Sequence, residues 1–352
     1  MLQASSAEAV TGSATTTMRR RKPRRSGPAP YRRGALSQPT DRTAPRGSPR
    51  WPHASRPPPG SPMHIFLQLV ASGVAVGMIY AAIAFGYQLT FATSKTLNFG
   101  QGEALMLGAL FGLTLVPFTG YWLMLPLVLV FGFALGALVE RLGVRPAVKI
   151  KSEYGWIMAT IALGIIFKNV AENIWGRDDL KFPSPLPEAA LTFGGVRVLP
   201  MELLVVAGAL LMMLAVELFN RRSIWGKAVV ATSNDIDAAG LMGINTRKVI
   251  TLSYAISAMT AAFAGVLVAP VTLTGATMGS VLALKAFAVA IIGGLESGLG
   301  VIVGGLILGV AETLTGFYIS TGYKDVPGLI LLLLVLAVRP VGLFGKAVIK
   351  KV

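Results

Sequence analysis

The residues able to do chemistry in this chain are few, and two of them stand inside apolar runs: Glu103 in "NFGQGEALMLG" and Lys285 in "LKAFAVAIIGG". An ionised side chain at membrane depth is costly, so it marks function by default unless it reaches the interface. Two readings stay open. A Glu103–Lys285 ion pair would lower the desolvation cost of both, or Lys285 sits at the interface and Glu103 caps the helix that starts at Ala104. Asn98, just upstream, offers an amide donor and acceptor suited to the backbone groups of an amino acid. Gly100 and Gly102, either side of Gln101, permit a backbone break of the kind that lines transport pathways. Glu296, in "GGLESGLG", reads as a solvated residue of a short turn.

What is missing excludes several classes. The sequence has no cysteine, so disulfides, thiolate nucleophiles and Cys-ligated metals are out. Its two histidines, His53 and His64, leave the body without an imidazole, so no catalytic residue, metal or Ser-His hydrolase is expected. Gly226-Lys227-Ala228 and Gly345-Lys346-Ala347 both lack the hydroxyl that completes a P-loop.

The elements that position these residues are set by composition. The chain is 53% hydrophobic and 14% charged, against roughly 25% charged in soluble domains. An all-α polytopic membrane protein follows. The net charge of +16 is concentrated in residues 1 to 62, where 12 of the 32 Lys+Arg face only Glu8 and Asp41. Basic cytoplasmic loops account for the rest, and no nucleic acid partner is needed. Residues 1–62 are Pro/Arg-rich without hydrophobic periodicity and are expected to be a disordered extension, with Met63 beginning the functional protein; a transit peptide is the alternative.

Residues 63–345 form the apolar body. Apolar runs of the length that a ~30 Å hydrocarbon core requires lie near 65–92, 121–140, 154–174, 199–219, 247–269, 281–296, 299–319 and 326–343. These are about eight transmembrane helices. The run 103–118 is short, and it either re-enters or crosses. Arg141, Arg145, Lys149 and Lys151 in one loop, and Arg221, Arg222, Lys227, Arg247 and Lys248 in the loop 220–248, mark both as cytoplasmic, as does the 346–352 tail. If 103–118 re-enters, both termini are cytoplasmic; if it crosses, the basic tail lies outside. The loop 175–198 then faces outward, with a hairpin at "FGGV".

Within 220–248, "DIDAAGLM" reads as a short helix capped by Asn234 or Asp235 and ended by Gly243. Such a helix on a polar loop is a suitable docking element. The stretch resembles the cytoplasmic "EAA" loop of ABC-importer permeases, with Asp237-Ala238-Ala239 in place of Glu-Ala-Ala. More narrowly, "GKAVVATSNDIDAAGLMGINTRKVITLSYAISAMTAAFAGVL", "GMIYAAIAFGYQLTFATSKTLNFGQGEALMLGA", "LKAFAVAIIGGLESGLGVIVGGLILGVAE" and "LILLLLVLAVRPVGLFG" resemble the LivH-type subunit of the branched-chain amino acid permease family. Gln101 and Glu103 depart from it, standing where the family more often has His and Asp.

The resemblance implies a permease subunit of an ABC importer in the bacterial plasma (inner) membrane. It would work with a second permease subunit, two ATP-binding subunits that alone bind ATP, and an extracytoplasmic solute-binding protein. The implied coupling residues are Asp235, Asp237, Ala238, Ala239, Gly240 and Gly243; the implied substrate pathway takes in Asn98, Gly100, Gln101, Gly102, Glu103 and Lys285. The implied cargo is a branched-chain or related hydrophobic amino acid. A urea or short-amide permease, and an ATP-independent channel or carrier, are the alternatives.

Overall fold

The computed structural model describes residues 62–150, 154–187, 189–193 and 196–345. The extension expected over 1–62, except Pro62, lies outside them, as do Lys151, the centre of the "FGGV" turn and the 346–352 tail. Eleven helices follow one another: α1 (Pro62–Ser94), α2 (Gln101–Val139), α3 (Arg145–Lys149), α4 (Gly155–Trp175), α5 (Pro200–Arg222), α6 (Ile224–Asn234), α7 (Ile236–Leu241), α8 (Thr246–Val268), α9 (Met278–Gly293), α10 (Gly298–Tyr318) and α11 (Val326–Val338). A two-stranded antiparallel hairpin, β1 (Leu191–Phe193) and β2 (Val196–Val198), lies between α4 and α5 where a hairpin was expected.

Among the described residues 7 helices are long and apolar enough to cross a bilayer, and Met278–Gly293 is a shorter apolar helix. One of the seven is folded in two. Gly120 has φ 73° and ψ 167°, a conformation essentially reserved for glycine, and the chain reverses there. Phe111 before the turn stacks on Phe131 after it at 4.4 Å, and Gly108 and Gly132 both lie against Ala262 of α8. The two halves of α2 therefore form an antiparallel clasp on one side of α8.

This revises the reading of 103–118. It neither re-enters nor crosses the whole bundle. Gln101 lies beside Ser257, eleven residues into α8 and so about 16 Å from that helix's start. The first half of α2 starts at that depth and runs to the turn at Gly120. The short membrane segment is instead α9, whose 16 residues span about 24 Å.

Helices α1 and α8 are the most enclosed, and α4 and α11 the most peripheral. Small residues allow this density where lipid supplies no apolar drive for association. A Cβ on Gly77 of α1 would lie 2.5 Å from the Gly305 carbonyl oxygen of α10. Gly73 meets Gly309 and Val310, and Phe85 meets Gly298, so α1 and α10 run antiparallel.

That fixes two faces. One carries Lys95, the α6–α7 loop, Arg141, Arg247, Lys248 and the α9–α10 turn, against which Val341–Gly345 packs: Leu343 N donates to Ile292 O at 2.8 Å. The other carries the Gly120 turn, the β-hairpin and the start of α1, which packs beside β2. Pro62 lies on the hairpin face and Gly345 on the basic face.

Candidate functional site

Helix α1 ends at the basic face, and the chain then turns back into the bundle. Ser94 and Thr96 turn hydroxyl groups toward each other at 2.6 Å, Thr96 meets the buried Tyr254 hydroxyl at 2.7 Å, and Lys95 between them takes a left-handed φ of 52°. The chain then makes a tight turn at "NFGQG". Asn98 Oδ1 accepts from Gly100 N at 3.1 Å, and Asn98 Nδ2 lies 3.4 Å from Gln101 Oε1. Gln101 Nε2 donates to the Ser257 carbonyl of α8 at 3.0 Å. The Ser257 hydroxyl lies 2.7 Å from the Gly86 carbonyl oxygen of α1 and 3.0 Å from Gln101 Oε1, and can donate to either.

Asn98, Gln101 and Ser257 have no exposed surface. Buried amides must find partners, and these find them in one another and in the backbone. The junction thereby ties α1, α2 and α8 at one depth. It also closes tightly: a Cβ on Gly86 would fall on Gln101 Nε2, and one on Gly102 would fall on the Gly279 carbonyl of α9. Gly100 rests on Thr160 of α4. The expectation that Asn98 presents a free amide is therefore revised. Its amide is occupied within the turn.

Glu103 and Lys285 do not pair with each other. Glu103 stands in the first turn of α2, which begins at Gln101 rather than Ala104 and has Gly100 as N-cap with no side-chain cap, so the capping alternative is not what is seen; its carboxyl lies against Gly164 of α4, with Lys168 as the cation whose field reaches it. Lys285 Nζ donates to Glu312 of α10 at 2.9 Å and to Asp325, which precedes α11, at 2.7 Å. Tyr80 of α1 donates its hydroxyl to Glu312 Oε2 at 2.8 Å and accepts from Lys285 at 3.3 Å. Glu312 is 6% exposed. Sequence reasoning had passed over Glu312, although "LGVAETLTG" is an apolar run with one acid and meets the same criterion that singled out Glu103. Glu296, at the α9–α10 turn, is half-exposed as expected and pairs with Lys95 at 2.5 Å.

The α6–α7 loop is ordered by its own sequence. Ser223 caps α6 by accepting from Gly226 N at 3.2 Å. Asp235, rather than Asn234, caps α7: its Oδ1 accepts from Asp237 N at 3.0 Å and Ala238 N at 2.9 Å. Gly243, at φ 84°, ends the motif, with Ile244 N donating to Ala239 O at 3.0 Å. Asp235, Asp237, Ala238, Gly240 and Gly243 are exposed, but Ala239 is buried and faces the protein. Leu241 and Met242, at 89% and 84% exposed, are the apolar groups this knob offers outward.

The comparisons with known proteins place this many-helix bundle among transport permeases. The sequence model for "Branched-chain amino acid transport system / permease component" matches residues 69–338. The chain belongs to that permease family. It is 35% identical over 311 residues to the high-affinity branched-chain amino acid transport system permease protein LivH of Escherichia coli K12, covering 82% of this chain and 98% of the relative. It is 32% identical over 304 residues to the corresponding protein BraD of Pseudomonas aeruginosa, with the same coverage of each. The galactofuranose transporter permease YtfT of E. coli is 29% identical over 197 residues, 54% of this chain and 52% of that protein. No solved structure matches.

Proposed function

We propose that this permease is the membrane-spanning subunit of an ATP-driven importer carrying branched-chain or related hydrophobic amino acids across the bacterial inner membrane. The observation that carries the reading is α7, a helix capped by Asp235, closed by Gly243 and presenting Leu241 and Met242 with nothing among the described residues covering them. Two ATP-binding subunits dock there, a second permease subunit completes the pathway, and a solute-binding protein delivers cargo to the hairpin face. The basic face is cytoplasmic. Pro62 then lies on the outer side.

Energy enters through α7 and passes to α8, which follows it after Asn245. From α8 it reaches the pathway through Ser257 and Tyr254, the two residues that hold the 96–101 turn. A tilt of α8 shifts the ends of α1 and α2 together, because Gln101 is bonded across that junction. The gate is the α1–α2 turn, moved as one body.

Leu241→Asp/Met242→Asp tests the dock. Both side chains are exposed, so the variant keeps its yield and melting temperature, and it loses co-purification of the ATP-binding subunits and nucleotide-dependent uptake. Unchanged assembly would remove the dock. Uptake of labelled leucine against labelled urea by the reconstituted complex reads the cargo, and uptake of urea alone would overturn the amino acid assignment.

A further inference from the structure

A groove of about 1090 Å³ runs between the second half of α2, α5 and α8. Its walls are apolar, from Leu129 and Phe263 at the deep end past Leu211 and Met259. Its mouth is not. Arg141, Arg145, Arg247 and Lys248 line it at the basic face, and Trp225 of α6 stands beside them, half-exposed. From Phe263 to Lys248 is fifteen residues of α8, about 22 Å. That is half of a ~40–45 Å bilayer counted with its headgroups.

Among the described residues three of the four cations have no side-chain partner. Arg145 is engaged: it grips Glu140 through Nε at 3.0 Å and Nη2 at 2.8 Å, and reaches Thr251 at 2.9 Å. Arg141, Arg247 and Lys248 are exposed, and no ion pair or side-chain hydrogen bond engages them among the described residues. Arg145 itself is only partly exposed, so the mouth keeps one fixed guanidinium and three cations, Arg141, Arg247 and Lys248, free to close on an anion.

We infer that this groove holds an anionic phospholipid of the leaflet at the basic face, acyl chains along α8 and phosphate between Arg141, Arg247 and Lys248. An apolar slot one leaflet deep fits hydrocarbon, which a free phosphate does not supply. A cationic mouth at the headgroup plane fits a net negative headgroup, which a zwitterionic lipid does not supply. A protein partner would leave those three cations needing acids at the same level. Trp225 is placed where aromatic side chains meet headgroups.

The test uses full-length protein in mild detergent, mixed with phosphatidylglycerol or with phosphatidylcholine of the same acyl chains and read by native mass spectrometry. Phosphatidylglycerol is expected to be retained at least about tenfold better. Arg141→Gln/Arg247→Gln/Lys248→Gln should abolish that preference while leaving the melting temperature unchanged. Ala215→Trp, which fills the slot from an exposed position on α5, should reduce retention of both lipids with the cations intact. Equal retention of the two lipids, or retention indifferent to Ala215→Trp, overturns the inference. So does displacement of phosphatidylglycerol by millimolar inorganic phosphate, which would mark a soluble-anion site. The chain has no cysteine, so Ala215→Cys supplies a unique thiol. Its cross-linking in membranes to another subunit would make the groove a protein interface and end the lipid assignment.

Discussion

Lys285→Met removes the one cation from a buried cluster, and its cost can be worked from the contacts. Lys285 bonds Glu312 at 2.9 Å and Asp325 at 2.7 Å. The Asp325 side chain is 59% exposed, so water screens that pair, which contributes roughly 0–1 kcal/mol. Glu312 is different. At 6% exposed it cannot find water when the ammonium goes, and stranding a buried charge costs about 3–5 kcal/mol. Tyr80 keeps its bond to Glu312 and recovers a part of this. The expected loss is therefore about 3–4 kcal/mol. Unfolding of the purified permease in mixed micelles measures it. The second half of the experiment is Lys285→Met/Glu312→Gln, in which no charge is stranded. Replacing both partners of a buried pair is often close to neutral. The double variant should recover most of the loss. If it is no more stable than Lys285→Met, or if Lys285→Met costs under about 1 kcal/mol, the cluster is not held by this pair and the reasoning fails.

Gln101→Ala should cost about 2–4 kcal/mol in the same unfolding assay, since it opens a cavity and leaves Ser257 and Asn98 short of partners. Asn98→Ala should lower stability more than it changes half-saturation of uptake, because the Asn98 amide is spent inside the turn. Gly77→Leu should prevent accumulation of folded protein, as its side chain would have to enter the Gly305 backbone of α10. Gly240→Ala, where a Cβ meets nothing within 4 Å, should be neutral within about 0.5 kcal/mol; membrane yield and melting temperature distinguish the two.

Much of this architecture was written in apolar run length. Eight spans and a ninth, shorter segment follow from it because a bilayer imposes one length on every crossing helix. Which segment was short did not follow. The run 103–118 looked truncated because the chain turns back into the bundle after Lys95 and α2 starts there at depth, and a linear hydropathy pattern carries no record of the depth at which a helix begins. The capped α7 was legible, since Asp235, the apolar residues after it and Gly243 act within about two turns of helix. The partner of Lys285 was not. Three acids, Glu103, Glu312 and Asp325, were available to it, and only the antiparallel packing of α1 on α10 brings Tyr80 and Glu312 to the same level. Likewise Asn98 offered an amide to solute by its chemistry alone. Its burial depends on Ser257, 159 positions away in the sequence.

The reversal at Gly120 also constrains how the molecule is made. With a single residue between them, the two halves of α2 leave no hydrophilic loop long enough to be threaded across on its own, so they must leave the insertion machinery as a pair. Their small-residue surface, Gly108, Gly132 and Gly136, then has no occupant until α8 is synthesised. At about 5–20 residues per second that interval, from Val139 to Val268, lasts on the order of ten seconds. During it the nascent clasp must be lined by lipid or by a chaperone of the translocon, and substitutions there should act on biogenesis before they act on transport.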